Sequence, residues 1–564
     1  MKARFPVQPL RRRPLAACLV AAMAVLPLPH EAHAGVLPVT SCADDGSPGT
    51  LRSVVASAHD DDTIDLTQLT CSTITLRLGG IDMHNTSGLI FNGPGQDRLT
   101  ISGRGASPIL HADFYNTALT LRDLTLAHGY AGRNLPNFYY AAGCLTAASA
   151  YIVLERVTIT DCKAVAHTYQ GGGAVVAGFL NLVDSTVSHS SIRYDAFAVH
   201  GGGILANGAA LVRSTVSDNT VLGGGTASAN VASGGGLFVG GTLVMIGSSV
   251  SGNRVRAPSG YDIPSHGSTG GGGVYSFGAL YVINSTITNN TVMATNAGEN
   301  GDGGGIFVRG SLMLVGSTVS GNDVDGDGGG LYKFGYPDLF DHGTTLTIQN
   351  STIADNAAGG AGAAFVSQRP TWIDNSTIAG NSGAAGAAAM FSYREKLGYR
   401  TNLLVDVQST IIGANTAGPN PAYATDLAAD DVLTVTGAHS LIMDAAAGIV
   451  LPPDTLRSDP CCCRWPTTAA RRGRWRWFPA ARPSIPVRTH WDCRPTSAAA
   501  RGFAFTARPP TSVRSRCSRH PTRSSPTAST RERPCPALRD CRRAWACRAR
   551  CRSRRHAAGD ELRG

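Results

Sequence analysis

The sequence predicts an all-β protein whose body is a single-stranded, right-handed parallel β-helix. Three observations lead to this prediction. A Ser-Thr-Val/Ile motif recurs along the chain, an Asn follows four residues after its Ser or Thr position, and a glycine cluster precedes each copy. The repeat step varies from 25 to 37 residues. A stack of β-coils accepts this variation in its loops, whereas a stack of helix pairs does not.

Each part of the repeat has a physical role in a stack of coils. The branched apolar residue after each motif position forms an inward ladder, the Asn side chains stack on one another, and glycine permits tight corners. The motif positions are Thr186, Thr215, Ser249, Thr286, Thr318, Thr352, Thr377 and Thr410, with weaker copies at Thr125 and Thr158. The asparagines are Asn219, Asn253, Asn290, Asn322, Asn356 and Asn381.

The chain divides into four segments by composition. Residues 1–34 have a basic start, an apolar run and a small-residue end, as in a cleaved signal peptide. Residues 35–70 are predicted to form an N-terminal cap that contains a helix over 50–58, and residues 71–459 form the β-helix. Residues 460–564 form a basic tail rich in Arg, Pro and Cys. The signal peptide predicts a secreted or cell-surface protein with no membrane span after cleavage.

Charge and cysteine content differ between these segments. Residues 35–460 carry 19 Lys/Arg and 33 Asp/Glu, so the body is acidic although the whole chain has a net charge of +10. The overall charge therefore gives no reason to expect a nucleic-acid partner. The body contains four cysteines, and export predicts the disulfides Cys42–Cys71 and Cys144–Cys162.

The segment from Val39 to Arg52, VTSCADDGSPGTLR, resembles the N-terminal region of bacterial exported parallel β-helix proteins of the choice-of-anchor Q type. The Gly-Gly-x-apolar and Ser-Thr-Ile-x-x-Asn repeats resemble those of polymorphic outer membrane proteins and autotransporter passengers. The resemblance covers residues 35 to about 459. It implies a surface-exposed or secreted β-helix, and its repeats specify the fold more than the function.

The tail resembles the C-terminal region of the same family when it is translated in a reading frame shifted by one base. Codons compatible with residues 467–488, read one base earlier, encode DNGGPTRTLALVPGSPAIDTGS, and the same frame continued through residues 511–516 gives PDIGAFE. Both strings match the C-terminal pattern of the family. The sequence therefore predicts the loss of one base near Pro460 and an unstructured tail. The alternative is a genuine basic tail that is disordered or binds nucleic acid.

One acidic constellation stands out in the body. The residues before the glycine clusters are predicted to form a column, namely Gln170, His200, Ser233, Thr269, Asp302 and Asp327. Three further acids, Glu299, Asp323 and Asp325, lie close to Asp302 and Asp327 in the sequence. The oxygens of these residues and the neighbouring glycine suit a Ca²⁺ loop. The alternatives are a solvated acidic turn and a catalytic carboxylate pair. The sequence contains no other cofactor motif and no recognised catalytic motif in the body.

Two classes of function remain open from the sequence. The favoured one is a monomeric, non-enzymatic adhesion or envelope scaffold with a glycan-binding surface, whose partner is an extracellular glycan or a host or neighbouring cell surface. The alternative is a carbohydrate-active β-helix enzyme of the pectin lyase-like kind, by fold analogy alone. The body has only three lysines, Lys163, Lys333 and Lys396, which are few for an enzyme groove that handles acidic sugars.

Overall fold

The computed structural model describes residues 34–457, apart from 84–85, 113–117, 133–139, 167–169, 195–197, 224–230, 258–268, 295–300, 336–342, 385–388, 393–402, 418–425, 430–432 and 447. The chain divides into two compact units, Met1–Ala469 and Ala470–Gly564, and all described residues belong to the first. Residues 1–33 of the predicted signal peptide and the predicted tail, 460–564, lie outside the described residues.

The described chain is a parallel β-solenoid, as the repeats predict. Every strand pairing in the described chain is parallel, and most strands inside the stack pair with their counterparts one coil earlier and one coil later. Four ladders, here named A to D in the order in which the chain visits them, run along the stack. Ladders A, B and C join in a 34-stranded sheet, and ladder D is a separate 9-stranded sheet.

Ladders A and B carry the strands that follow each glycine cluster. Ladder A contains Ile81–Met83, Leu110–Ala112, Leu237–Val239, Val274–Ser276, Ile306–Val308, Leu331–Lys333, Phe365–Ser367, Met390–Ser392 and Leu427–Ala429. Ladder B contains Val36–Pro38, Thr63–Asp65, Leu89–Asn92, Leu243–Ile246, Leu280–Ile283, Leu312–Val315, Leu346–Gln349, Thr371–Asp374, Leu403–Gln408 and Leu433–Ala438. Longer strands serve two or three ladders at once, namely Ala118–Ala127, Leu145–Thr160, Val175–Val183 and Ile204–Val212.

Ladder C carries the Ser-Thr-Val/Ile motif, and ladder D carries the residues after the Asn. Ladder C contains Thr73–Thr75, Thr100–Ser102, Thr186–Ser188, Thr215–Ser217, Ser249–Ser251, Thr286–Thr288, Thr318–Ser320, Thr352–Ala354, Thr377–Ala379, Ile411–Gly413 and Leu441–Ile442. Ladder D contains Tyr130–Ala131, Lys163–Ala166, Ser191–Tyr194, Thr220–Gly223, Arg254–Ala257, Thr291–Ala294, Asp323–Val324, Ala357–Ala358 and Ser382–Gly383. Two further pairs are Tyr140–Ala142 with Gln170–Gly172 and Ala198–His200 with Val231–Ser233.

The N-terminal helix forms as the sequence predicts. Helix α1 (Leu51–Ser57) begins after Thr50, whose hydroxyl accepts a hydrogen bond from the Ser53 amide. Leu51, Val54 and Val55 are buried and belong to the main apolar core. Parallel pairing already begins at Val36–Pro38, inside the segment predicted as cap, because this strand adds to the open edge of Thr63–Asp65.

Alternation within each strand fills the interior. Leu312 and Leu314 point inward and are fully buried, whereas Met313 and Val315 point outward and are half-buried. The same pattern recurs at equivalent positions of neighbouring coils, so the inward side chains form one continuous core along the stack. Ladder D closes this solenoid with a second, narrower row of buried Ala, Val and Ile.

The stacked asparagines predicted from the sequence are confirmed. From Asn219 to Asn415, each side-chain amide donates to the side-chain oxygen of the next Asn at 2.9–3.0 Å. A parallel row of Ser hydroxyls, which the repeat did not reveal, accepts backbone amides from the preceding coil between Ser185 and Ser440. Thr410 lies in this Ser row, and Ile411 takes the ladder C position that the motif had assigned to Thr410.

Candidate functional site

The column before the glycine clusters exists from His200 onwards, with two corrections. Val175 pairs with Ile204 and the Ala174 amide donates to the Gly203 carbonyl oxygen, so Gly171 and not Gln170 is level with His200. Parallel pairing joins His200 to Ser233, and isolated bridges join Ser233 to Gly270 and Gly270 to Asp302. Gly270 therefore occupies the position predicted for Thr269, because this cluster has four glycines and only the last three align with their neighbours. The Gly303 amide donates to the carbonyl oxygen of Asp327, which continues the column.

The carboxylates of the predicted calcium site hold the corner backbone together. Asp302 Oδ1 accepts the amide of Asp327 at 3.2 Å, and Asp327 Oδ1 accepts the amide of Ala361 at 2.6 Å. Asp325 accepts the amides of Ala294 and Gly301. Burial raises the pKa of the Asp325 carboxyl, and these backbone hydrogen bonds oppose the rise.

The calcium site itself stays a prediction. Asp323 is exposed at the start of its ladder D strand, and Glu299 lies outside the described residues. Within the part of the chain that the structure describes, no three His, Cys, Asp or Glu side chains come close enough together to hold a metal ion.

Lys333 does not face the solvent beside these acids. Its side chain is fully buried, and Nζ donates to the carbonyl oxygens of Arg309 at 2.7 Å and Phe334 at 2.6 Å. A third contact reaches the Thr344 hydroxyl at 3.4 Å. The ammonium group thus closes the turn between ladders A and B from inside, which is a structural role.

Both predicted disulfides are confirmed. Cys42 bonds to Cys71 with a Cα–Cα distance of 6.4 Å, and Cys144 bonds to Cys162 with a Cα–Cα distance of 5.6 Å. The second bridge has local importance, because Cys162 lies between two residues that line an open pocket on the corner between ladders C and D.

This corner pocket is the candidate functional site. Its volume is about 520 Å³, which lies in the range of small-ligand sites. Three successive coils contribute to it. Its lining residues are Arg104, Gly105, His128, Gly129, Tyr130, Asp161 and Lys163.

Stacking of coils brings these residues together from distant sequence positions. The His128 amide donates to the Thr160 carbonyl oxygen, which places Asp161 one coil beyond His128, and Tyr130 pairs with Lys163 in ladder D. His128 and Asp161 turn the corner with φ of 56° each. This left-handed conformation directs both side chains away from the core.

The pocket floor requires a glycine. A Cβ atom on Gly129 would lie 2.0 Å from the carbonyl oxygen of Gly143 and 2.7 Å from Cys144 Sγ. The next coil and the disulfide Cys144–Cys162 therefore approach this backbone as closely as sterics allow. The disulfide ties the wall that carries Asp161 and Lys163 covalently to the start of the same coil, because Cys144 and Cys162 flank one strand, Leu145–Thr160.

The pocket is electropositive on an acidic body. Arg104 and Lys163 are exposed cations, and Asp161 is the carboxylate among the lining residues. The Thr160 hydroxyl donates to Asp161 Oδ2 at 3.0 Å and orients it. Tyr130 is half-buried and lines the same pocket, and a tyrosine can contribute both a ring and a hydroxyl to a ligand site.

Two titratable residues are buried, which the sequence did not indicate: His200 was predicted only as a member of the column before the glycine clusters, and Asp426 was not singled out. Burial lowers the pKa of His200 to about 4; its ring stacks on Phe238 at 4.2 Å, and Nδ1 lies 2.6 Å from Ser233 Oγ. Burial raises the pKa of Asp426 to about 6, although the Asn415 amide donates to its Oδ1 at 2.9 Å. Asp426 thus accepts the last hydrogen bond of the row of stacked asparagines, and no repeated sequence pattern identifies this role.

Sequence reasoning missed an aromatic column on the outer side of ladder A. Phe238, Tyr275, Phe307 and Tyr332 are buried and stack between coils at centroid distances of 4.6–5.3 Å. Arg309 lies over the ring of Phe277 at 4.4 Å. Period-two alternation places these rings on the side opposite the inward residues of each strand, so the repeat pattern alone gives no reason to expect their burial.

Comparison with known proteins yields one structural likeness. The chain is similar to the A-module of the mannuronan C-5 epimerase AlgE6 from Azotobacter vinelandii, with 14% sequence identity and a TM-score of 0.33 over 71% of this chain and 95% of that one. No family model and no curated protein matches the chain. Among the described residues, no helix has the length and hydropathy needed to cross a membrane.

Proposed function

We propose that the protein is a secreted or cell-surface β-solenoid that binds glycans without converting them, as an adhesion or envelope scaffold. The corner pocket is the observation that supports this function. Sugars present apolar C–H faces beside hydroxyl groups, which suit a tyrosine ring flanked by Arg104 and Lys163. The proposed partner is an extracellular glycan or the surface of a host or neighbouring cell, and the binding unit is a monomer.

The construction of the solenoid supports a binding role. The pocket side chains come from strand ends and tight corners, which hold them in fixed positions relative to one another. The two disulfides support export, because such bridges persist in oxidising compartments.

A glycan array probed with the full chain tests this proposal. We expect a defined subset of glycans to bind, and Tyr130→Ala to weaken that binding about tenfold. Tyr281→Ala is the matched control, because Tyr281 is an outward tyrosine of ladder B that does not line the pocket. Absence of binding to every glycan, or equal losses in both variants, would contradict the proposal.

The same samples test the enzymatic alternative. His128, Tyr130 and Asp161 are side chains of types that transfer protons in sugar-cleaving enzymes. We expect no release of reducing or unsaturated sugar ends from any glycan that binds. Release that disappears in His128→Gln would show catalysis and replace the scaffold proposal.

Calcium binding near Asp302, Asp325 and Asp327 is a separate proposal. A bound cation would stabilise the folded state by mass action, so Tm should rise in millimolar Ca²⁺. Asp302→Asn combined with Asp327→Asn should abolish the rise. Each Asn keeps the oxygen that accepts the backbone amide, so the loss would report the charge. Identical melting curves with Ca²⁺ and with chelator would refute the site.

A further inference from the structure

The outer face of ladder C presents a regular array of hydroxyl groups that the corner pocket does not use. In the seven strands from Thr186–Ser188 to Thr377–Ala379, the first and third residues point away from the core, and the middle residue is a fully buried Val or Ile. The first residue is Thr in six strands and Ser in the other, and the third is Ser or Thr in five strands and Ala in two. We name the outward residues of these seven strands the hydroxyl face.

Strand pairing arranges the hydroxyl face as a lattice that repeats in two directions. Each strand pairs in register with the next, as Ser249 does with Thr286 and Thr286 with Thr318. Outward positions along the stack therefore lie about 4.8 Å apart, and the two outward positions of one strand lie about 6.6 Å apart. Between adjacent coils, the Thr286 hydroxyl donates to the Ser249 hydroxyl at 3.2 Å. Seven coils extend the lattice over about 29 Å.

Two buried, hydrogen-bonded rows fix the geometry of the hydroxyl face. The Ser row lies directly before each strand, where Ser285 Oγ accepts the Ser248 amide at 3.0 Å. The Asn row follows each strand, where the side-chain amide of Asn290 donates to the side-chain oxygen of Asn322 at 3.0 Å. Both edges of the face are thus held at the same spacing from coil to coil. A surface that is ordered before binding loses little conformational entropy when it meets a second ordered surface.

The hydroxyl face and its borders are uncharged over the central coils. Every outward residue of the seven strands is Thr, Ser or Ala. The corner residues at the two edges of the three central coils are Gly or Asn, namely Gly247, Asn284, Gly316, Gly252, Asn289 and Gly321. Ladder D in these coils carries charged and exposed side chains instead, among them Arg254, Arg256 and Asp323. The partner of the hydroxyl face should therefore be uncharged and should repeat in two directions.

We propose that the hydroxyl face binds ice. Prism faces of hexagonal ice present water oxygens in a lattice whose two repeats are similar in size to those of the hydroxyl face. The Thr and Ser hydroxyls can both donate to and accept from the first water layer, and the Thr methyl groups restrict the orientation of water beside them. A glycan chain repeats in one direction only, and its sites favour aromatic rings, which the residues of this face do not provide. The inference is independent of the proposed glycan binding, because it uses none of the pocket residues.

Partition of the full chain into a slowly grown ice crystal tests this inference. Growing ice excludes solutes that do not bind it, so we expect the natural protein to be enriched in the ice fraction over the remaining liquid. Thr286→Tyr combined with Thr318→Tyr should reduce the enrichment about tenfold, because bulky rings hold the two flat surfaces apart. The matched control is Thr291→Tyr combined with Thr347→Tyr, which changes outward threonines of ladders D and B.

A second variant separates ice binding from folding. Thr286→Lys changes one exposed position, so we expect the enrichment to fall while Tm stays unchanged. Tyr130→Ala should leave the enrichment unchanged, which would support a site separate from the pocket. Exclusion of the natural protein from ice, or equal enrichment of the face and control variants, would overturn the inference. Binding to crystalline cellulose or chitin that is lost in the Thr286 and Thr318 variant, together with exclusion from ice, would overturn it and assign the face to a glycan.

Discussion

The side-chain amide of Asn253 donates to the side-chain oxygen of Asn290 at 3.0 Å across two coils of the solenoid. The same oxygen accepts the Asn253 backbone amide at 3.0 Å, and Asn290 Nδ2 in turn donates to the Val250 carbonyl oxygen at 3.1 Å. Each Asn thus satisfies the polar groups of a buried corner that water does not reach. The coil-to-coil spacing is set here by side chains as well as by the backbone ladders.

Removal of one member should therefore destabilise the whole stack. We expect Asn290→Ala to lower the free energy of unfolding by about 3 kcal/mol, because the donors and acceptors of Asn253, Val250 and Asn322 lose their partner. Urea unfolding measures this difference. The control Asn181→Ala changes an exposed outward Asn and should cost less than about 0.5 kcal/mol. Equal losses of unfolding free energy in the two variants would show that the row of stacked asparagines does not stabilise the fold.

The aromatic column should stabilise the folded state by a free energy similar to that of the stacked asparagines. Phe307 is fully buried between the rings of Tyr275 at 4.6 Å and Tyr332 at 5.3 Å. We expect Phe307→Ala to cost about 3–5 kcal/mol through lost burial and a cavity. Phe179→Ala is the matched control, because Phe179 is 48% exposed and stacks on Tyr151 alone among the aromatic contacts found. A cost below that of the control would contradict the packing role.

His200 should make the fold sensitive to acid. Its pKa of about 4 in the folded state lies below the ordinary value of 6.5, so the unfolded chain binds this proton more readily. The stability that neutral His200 provides is complete above pH 6.5 and is lost as the pH falls towards 4, by at most about 3 kcal/mol. Tm measured across this range should fall less steeply for His200→Gln than for the natural protein. Parallel pH profiles would exclude His200 as the cause.

The disulfide Cys144–Cys162 should support both stability and ligand binding. Its loop spans 18 residues, and replacement of both cysteines by serine should cost about 3 kcal/mol. Because Cys162 lies between Asp161 and Lys163, we also expect weaker glycan binding at a temperature where the variant remains folded. The same pair of substitutions at Cys42 and Cys71 should reduce stability while affinity stays unchanged. Equal losses of affinity in both variants would argue against a local effect on the pocket.

The sequence by itself determined the repeating parts of this protein. The Ser-Thr-Val/Ile motif, the Asn and the glycines recur once per coil, so each position predicts the same environment in every coil. The stacked asparagines, the parallel strands, helix α1 and both disulfides follow from such local or repeated signals. Each depends on residue type and spacing within one repeat, which a single sequence displays directly.

Only the tertiary structure decided the features that combine several coils. Tyr130 and Lys163 are 33 positions apart in the sequence yet adjacent in ladder D. Because the loop lengths vary between coils, this pairing cannot be derived from the sequence. The shift from Thr269 to Gly270 in the glycine column has the same cause. The outward rings of Tyr275 and Phe307 are buried by the rings of neighbouring coils, which the alternation within one strand does not indicate. In each case the environment of a side chain is set by neighbours distant in sequence, and their position depends on how the coils stack.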